Sequence, residues 1–288
     1  MTVVNTNVSA SIAQAALSRN ERALGTAMEQ LSTGRKINSA ADDASGLAIS
    51  TRLSSQIRGL DQAVRNANDA ISMVNTADSA LDEITDMLQR IRELAVQSGT
   101  GTTSASDRTY LNQEFTALMG EIDRIAENTQ WNGRDVLDGT AGGATSWVVF
   151  QVGANAAQTI SVSFGNFTDA AGKTFASLTP SNSATLSAST IASAISRSSL
   201  VITKADVALN AVSAQRAKFG AFSNRLDHAV DNLTNVSTAT AAARSRIMDT
   251  DYAAATSELA RTQIIQQAGT AMLAQANQLP QTVLALLQ

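Results

Sequence analysis

Few side chains in this sequence are of types and spacings that could do chemistry. Histidine occurs once, at His228, between Asp227 and Ala229. A lone imidazole on a helix is far more often solvated or packed than a ligand or a base. Asp42 and Asp43 are adjacent carboxylates and could in principle share a proton. Neighbouring helix positions point about 100° apart, however, and Asp beside Asn38 and Ser39 suits a helix N-cap better. Asp249 and Asp251 could approach a cation, but two carboxylates make a poor cage. Asp61, Asp69, Asp78 and Glu83 are spread along a helix as a solvated face. HExxH, a P-loop, GxSxG and GxGxxG with a following acidic residue are all absent. Cysteine is absent too, which removes disulfides, thiol catalysis and Cys-based zinc sites. The expectation is no catalytic residue, no metal and no cofactor.

The elements that would carry such groups are mostly long helices. Val8 to about Leu31 reads as one, with Leu17, Leu24 and Leu31 seven residues apart and Ile12, Ala16 and Met28 alongside. Gly34 interrupts, and Asn38–Asp43 reads as a hinge and cap. From Leu47 to about Ser98, apolar residues from Ile57 through Leu81 and Leu88 to Ala95 recur at steps of three or four, with no proline. A helix of about 50 residues is roughly 75 Å long, which implies a rod. Gly99–Ser104 is a turn, and Ser104 or Ser106 can cap a helix running to about Asn128 that folds back antiparallel. Asn132-Gly133 is a turn signal.

The middle changes character. Ser146–Val152 and Thr159–Phe164 have strand composition, and a β-hairpin follows from their short connector. Leu178–Ser199 is rich in Ser, Thr and Ala, with helix resuming from about Thr190 and continuing to Met248. Asp249–Asp251 is a second hinge. The fold class expected is mainly α: a long antiparallel helical hairpin or coiled-coil rod with a small β-hairpin insert and paired N- and C-terminal helices. The domains expected are residues 1–43 with 249–288 as a terminal-helix unit, and 44–248 as a rod with a β or variable insert at about 140–195.

The two ends are the oddest parts. Neither Met1–Ser18 nor Thr262–Gln288 contains a charged side chain. In the second, Ile265, Ala268, Met272, Leu279, Val283 and Leu286 form an apolar stripe, with Gln275 filling one step. A lone helix of this kind is marginal in water. Two such ends are expected to bury each other, or to bury themselves in neighbouring copies, through these residues and Ile12, Leu17, Leu24 and Leu31.

The 288 residues carry 21 basic and 25 acidic side chains, a net charge of −4, which argues against a nucleic-acid partner. Aromatics are only 4%, so the chain suits helices packed through small and medium side chains. No basic n-region precedes a long apolar run, and no stretch is apolar enough to span lipid. The expectation is no cleaved secretory signal and no membrane insertion.

Taken together, the two ends resemble bacterial flagellin, the subunit of the flagellar filament. The resemblance rests on Val4–Asn7, LSTGRKINSAADDASGLAIS from Leu31, LQRIRELAVQS (Leu88–Ser98), EIDRIAENTQWNG (Glu121–Gly133) and VLDG. At the other end it rests on NRLDHAVDNL from Asn224, SRIMDTDYA from Ser245, QIIQQAG from Gln263 and ANQLPQTVLALLQ. The string QVGAN at Gln151 is also similar to a short β-region of that family.

The resemblance implies a helical homopolymer of many copies that drives swimming motility. The terminal helices would form an inner tube and the long helices an outer one. It implies extracellular location after type III export without a cleaved signal. Its implied partners are an export chaperone, the filament cap and the hook-junction proteins. By the family's pattern, Arg90, Leu94 and Glu114 match positions contacted by the Toll-like flagellin receptor of hosts. Ser and Thr in 177–199 match a region O-glycosylated in some relatives. The alternatives are a hook–filament junction protein or a non-flagellar surface-binding protein.

Overall fold

The computed structural model describes residues 7–143, 146–168, 185–188 and 190–285, with side chains considered up to residue 278. Five α-helices follow in order: α1 (Val8–Thr33), α2 (Ala44–Ser98), α3 (Ala105–Asn128), α4 (Ile191–Met248) and α5 (Tyr252–Ala285). Between α3 and α4 lie two antiparallel hairpins, β1 (Gln130–Trp131) with β2 (Arg134–Asp135), and β3 (Trp147–Gln151) with β4 (Thr159–Ser163). The mainly α architecture with a small β-hairpin and paired terminal helices is as the periodicity predicts. The first half of the Ser/Thr-rich stretch, up to residue 184, lies outside the described residues.

The chain divides into two compact units, Met1–Ile57 with Thr238–Gln288, and Arg58–Ser237. The divisions fall inside α2 and α4, not at the turns.

In the Arg58–Ser237 unit, α2 presents an unbroken apolar face. Leu81, Ile84, Leu88, Ile91 and Leu94 have no exposed surface. They pack in one cluster with Phe115, Met119 and Ile122 of α3 and Val201, Val212 and Phe219 of α4. Each helix supplies a residue every three or four positions, so the stripes meet along their length. At about 25 cal/mol per Å2, a fully buried Leu or Ile contributes about 1.5–3 kcal/mol.

Polar groups fix how these helices run. Ser104 accepts from the Asp107 amide and Asp107 accepts from the Ser104 amide, a capping box that starts α3. Hydrogen bonding to the Ser104 hydroxyl, then to the Ser104 amide, holds the Asp107 carboxyl below its usual pKa. The buried Arg108 guanidinium donates to the Ser98 and Thr100 carbonyls at 3.2 and 3.4 Å, filling acceptors left open where α2 ends. Arg92 pairs with Asp206 at 2.8 Å, and Arg216 forks onto Asp78 and Asp82 at 2.9 and 2.6 Å. Asp78 is therefore a partner of α4 and not simply solvated. These pairs run in opposite order along α2 and α4, which makes the two helices antiparallel.

The larger hairpin lies against this bundle. Val148 and Val162 face inward. Phe150 meets Phe222, and Phe164 meets Phe219, with ring centroids 6.1 and 5.4 Å apart. The buried Gln215 amide donates to the Ser163 carbonyl at 2.6 Å, and Asn66 donates to the Gln151 carbonyl at 3.1 Å. In the smaller hairpin, Asn132 and Gly133 both have positive φ, 51° and 74°, as a tight two-residue turn requires.

Candidate functional site

The unit built from the chain ends centres on α1 and α5, which pack along their length. Asn7 starts α1. Its side-chain oxygen accepts from the Ala10 amide at 3.0 Å, while its amide donates across to the Ala276 carbonyl at 2.8 Å. Gly34 ends α1 in the left-handed conformation, φ 68°, a turn that favours glycine. The chain then pairs with the turn between α4 and α5. Lys36 donates to the Met248 carbonyl at 2.7 Å, and Thr250 to the Gly34 carbonyl at 3.1 Å. Asn7 meets Ala276 and Gly34 meets Thr250, so the helices are antiparallel.

Their seam is a heptad pattern. On α1, Ala10, Ala13, Leu17, Asn20, Leu24, Ala27 and Leu31 are shielded at alternating steps of three and four. On α5 they are Ala255, Leu259, Thr262, Gln266, Gly269, Leu273 and Ala276. The small residues let the backbones approach. A methyl group on Gly269 would stand 3.2 Å from Leu17 Cδ1. Asn20 and Thr262 are both buried, and the Asn20 amide donates to the Thr262 carbonyl at 2.7 Å.

The residues expected to form assembly stripes divide between two faces. Leu17, Leu24 and Leu31 line the α1–α5 seam and are half-buried. Ile12 does not; it is 66% exposed, because it lies five positions before Leu17 and so about 140° around the helix. Ile265, Ala268 and Met272 are also exposed, Met272 by 65%. Each sits one residue ahead of a seam position (Gln266, Gly269, Leu273), about 100° around α5. Leu279, Val283 and Leu286 lie beyond the side chains described. Val8, Met28 and Ile264 are exposed with them. The pair therefore meets through a seam of leucines alternating with small and polar residues, and leaves a second set of large apolar side chains open.

Asn7, Asn20, Thr262 and Gly269 escape a reading based on hydrophobic periodicity. The only hint is that polar or glycine residues occupy heptad positions between apolar ones.

Of the adjacent hinge carboxylates, Asp43 caps α2, while Asp42 ties the turn before it. Asp43 Oδ1 accepts from the Ser45 and Gly46 amides at 3.0 and 2.9 Å, and Asp42 Oδ2 from Asn38 and Ser39 at 3.0 and 2.8 Å. The Ser39 and Asn38 amides lower the Asp42 pKa, and the Gly46 amide followed by the Ser45 hydroxyl lowers that of Asp43. Asp251 accepts from the Ala253 and Ala254 amides and caps α5. His228 is exposed. No group of three or more His, Cys, Asp or Glu is placed to hold a metal among the described residues. No helix among them is long and apolar enough to cross a membrane.

Arg90 and Glu114 come together across α2 and α3. The Arg90 Nε donates to Glu114 at 2.8 Å, and a second nitrogen donates to Glu93 at 3.1 Å. Hydrogen bonding to Glu114, then to Glu93, raises the Arg90 pKa. Both partners are solvent-accessible. Leu94 is not: it is 0% exposed and belongs to the core beneath them. Leu94 shares the buried stripe of α2 with Ile91, three residues before it.

Comparison with known proteins matches both halves of the chain. Residues 4–142 match the bacterial flagellin N-terminal helical region, and residues 202–287 the bacterial flagellin C-terminal helical region. A flagellin of Halalkalibacterium halodurans is 44% identical over 286 residues, covering 99% of this chain and 100% of that protein. One of Bacillus subtilis is 43% identical over 313 aligned residues, covering 99% of both chains. Among solved structures, Bacillus cereus flagellin is 33% identical and covers 61% of this chain and 94% of its own, with a TM-score of 0.48. With both terminal regions matched and relatives of this identity aligned end to end, the chain belongs to the bacterial flagellin family.

Proposed function

We infer that the chain is a structural subunit that polymerises into the bacterial flagellar filament and serves swimming motility. The observation that carries this reading is the α1–α5 pair, which closes its own seam and still leaves Ile12, Ile264, Ile265 and Met272 facing outward. A monomer gains nothing from such a surface; stacked copies bury it. Burial of about 1,000 Å2 of apolar surface would contribute roughly 25 kcal/mol before the cost of ordering the ends. Residues 1–43 and 249–288 would then form the inner tube, and 44–248 the outer.

The remaining parts of the reading follow from family membership. The partners are further copies of this chain, the export chaperone, the cap and the hook-junction proteins. The place of action is the filament outside the cell, and the role is mechanical, not enzymatic. For host recognition, the exposed Arg90–Glu114 pair is the contact surface, and Leu94 supports it from below. Reporter cells given an Arg90→Ala or Glu114→Ala monomer should respond less than to the unaltered one; equal responses would remove this assignment.

Deleting Thr262–Gln288 tests the main reading. The truncated protein should remain helical and soluble but form no filaments by electron microscopy. Normal filaments from it would overturn the role given to the terminal pair.

A further inference from the structure

We propose that Met272 is an oxidation site that gates assembly: a peroxide converts its thioether to a sulfoxide in the free subunit, and the oxidised subunit no longer joins the filament. The proposal rests on the filament reading and adds a chemical modification to it. Of the seven methionines, two stand in the open. Met272 is 65% exposed and Met28 56%, whereas Met73 and Met119 are 1% and 4% exposed. Met87 and Met248 are half-buried, and Met1 lies outside the described residues. The chain has no cysteine, so thioethers are its only sulfur nucleophiles, and their reactivity follows exposure.

The step needs no catalytic group. A lone pair on the Met272 sulfur attacks one oxygen of hydrogen peroxide. The O–O bond breaks and an S–O bond forms. The proton on the transferred oxygen passes to the departing hydroxide, which leaves as water. Sulfur loses two electrons and the peroxide gains them. A flexible apolar side chain becomes a polar one.

Surroundings separate the two exposed sulfurs. The neighbours of Met272 along its helix face, three, four and seven residues away, include Ile265, Ala268, Gly269 and Ala276. No charged side chain follows Arg261. Leu273, one residue on, is half-buried in the α1–α5 seam, so pairing within the chain leaves Met272 open. Stacking of copies then buries a sulfoxide against a largely apolar face, which should raise the subunit concentration needed for polymerisation by about tenfold. Met28 stands beside Glu29 and seven residues after Glu21, both exposed. A sulfoxide there joins a charged, wet surface and leaves joining intact. Oxidation therefore acts before assembly, and a subunit already stacked keeps its thioether.

The test treats the full-length subunit with dilute hydrogen peroxide, removes the peroxide, and measures polymerisation by sedimentation and electron microscopy. Peptide mass spectrometry follows the gain of one oxygen at each methionine. Met272 and Met28 should oxidise first, and Met73 and Met119 last. The treated protein should lose polymerisation, Met272→Leu should keep it, and Met28→Leu should lose it as the unaltered chain does. Equal loss in Met272→Leu, or rescue by Met28→Leu, overturns the assignment. Filaments given the same peroxide should oxidise at Met272 about tenfold more slowly than free subunits; equal rates overturn the protection. Should untreated Met272→Leu not assemble, the unaltered protein decides. From a half-oxidised sample, sedimented filaments should be depleted in Met272 sulfoxide relative to the subunits left in solution, and equal content refutes the gate. Each of these failures leaves the filament reading standing; absence of filaments from untreated, unaltered protein would overturn both readings together.

Discussion

The side-chain amide of Asn20 donates to the main-chain carbonyl of Thr262 at 2.7 Å, in a seam where both residues are buried. It is a polar tie inside an otherwise apolar and small-residue contact. Replacing Asn20 with Ala removes the bond and leaves a void at one heptad position. A loss of about 1–2 kcal/mol in the α1–α5 pair is expected. Filaments of Asn20→Ala should depolymerise at a lower temperature than unaltered ones; an unchanged melting profile would deny the bond any weight.

Gly269 sets the approach of the two helices opposite Leu17. Gly269→Ala adds a methyl at 3.2 Å from the flexible end of Leu17 and gains about 1 kcal/mol of helix propensity. It should be close to neutral for assembly. Gly269→Val has two further methyl groups to place and should separate α5 from α1. A filament yield that falls for Val but not for Ala is the expected pattern, and equal yields would count against a close approach here.

The outward face makes the opposite demand. Met272→Asp puts a charge on a side chain that is 65% exposed in the subunit. Stability of the free subunit should change by no more than about 0.5 kcal/mol. Polymerisation should fail, since stacking would bury an unpaired carboxylate. Sedimentation of the variant as filaments at normal yield would place this face outside the interface.

Leu88 gives the contrasting case. It is fully buried among α2, α3 and α4 residues, so Leu88→Ala should cost about 2–5 kcal/mol. Urea titration of the monomer followed by circular dichroism should show the loss directly. A midpoint equal to that of the unaltered protein would mean that this cluster is not the core.

Acid should loosen the hinge before the bundle. Asp42 and Asp43 have folded-state pKa values below their ordinary ones. Their contribution is thus full above the unfolded value near about 4 and is lost as pH falls through the lower, folded values. Amide exchange at Asn38, Ser39, Ser45 and Gly46 should accelerate in that window. In Asp43→Asn, the Ser45 and Gly46 amides should lose most of their pH dependence while the Ser39 amide keeps its own.

Helices were legible because residues such as Leu81, Leu88 and Ile91 repeat over many turns, and no alternative element tolerates that pattern. The β-hairpin was legible for the converse reason: Thr159–Ser163 alternates and sits between turn residues. Which face of α5 meets α1 was not legible. Two three–four frames run side by side on that helix, one through Ile265 and Met272 and one through Thr262, Gly269 and Leu273. Hydrophobicity selects the first frame; close backbone approach selects the second. Nothing in a single sequence says whether a stripe is answered by the same chain or by another. Leu94 carries the same lesson in reverse. Helical spacing places it near both Arg90 and Ile91, and only the packing of α3 and α4 on α2 decides that it is buried. The Arg90–Glu114 pair needed α3 to fold back on α2 before its partners could be read.

The pairing of α1 with α5 also works as a check on chain length. Its bonds join residues 242 and 269 positions apart. No fragment that stops short of Thr262 can form them, however well its helices fold. Incomplete copies lack the paired surface that joining requires, so a growing polymer rejects them by geometry, without a separate inspector.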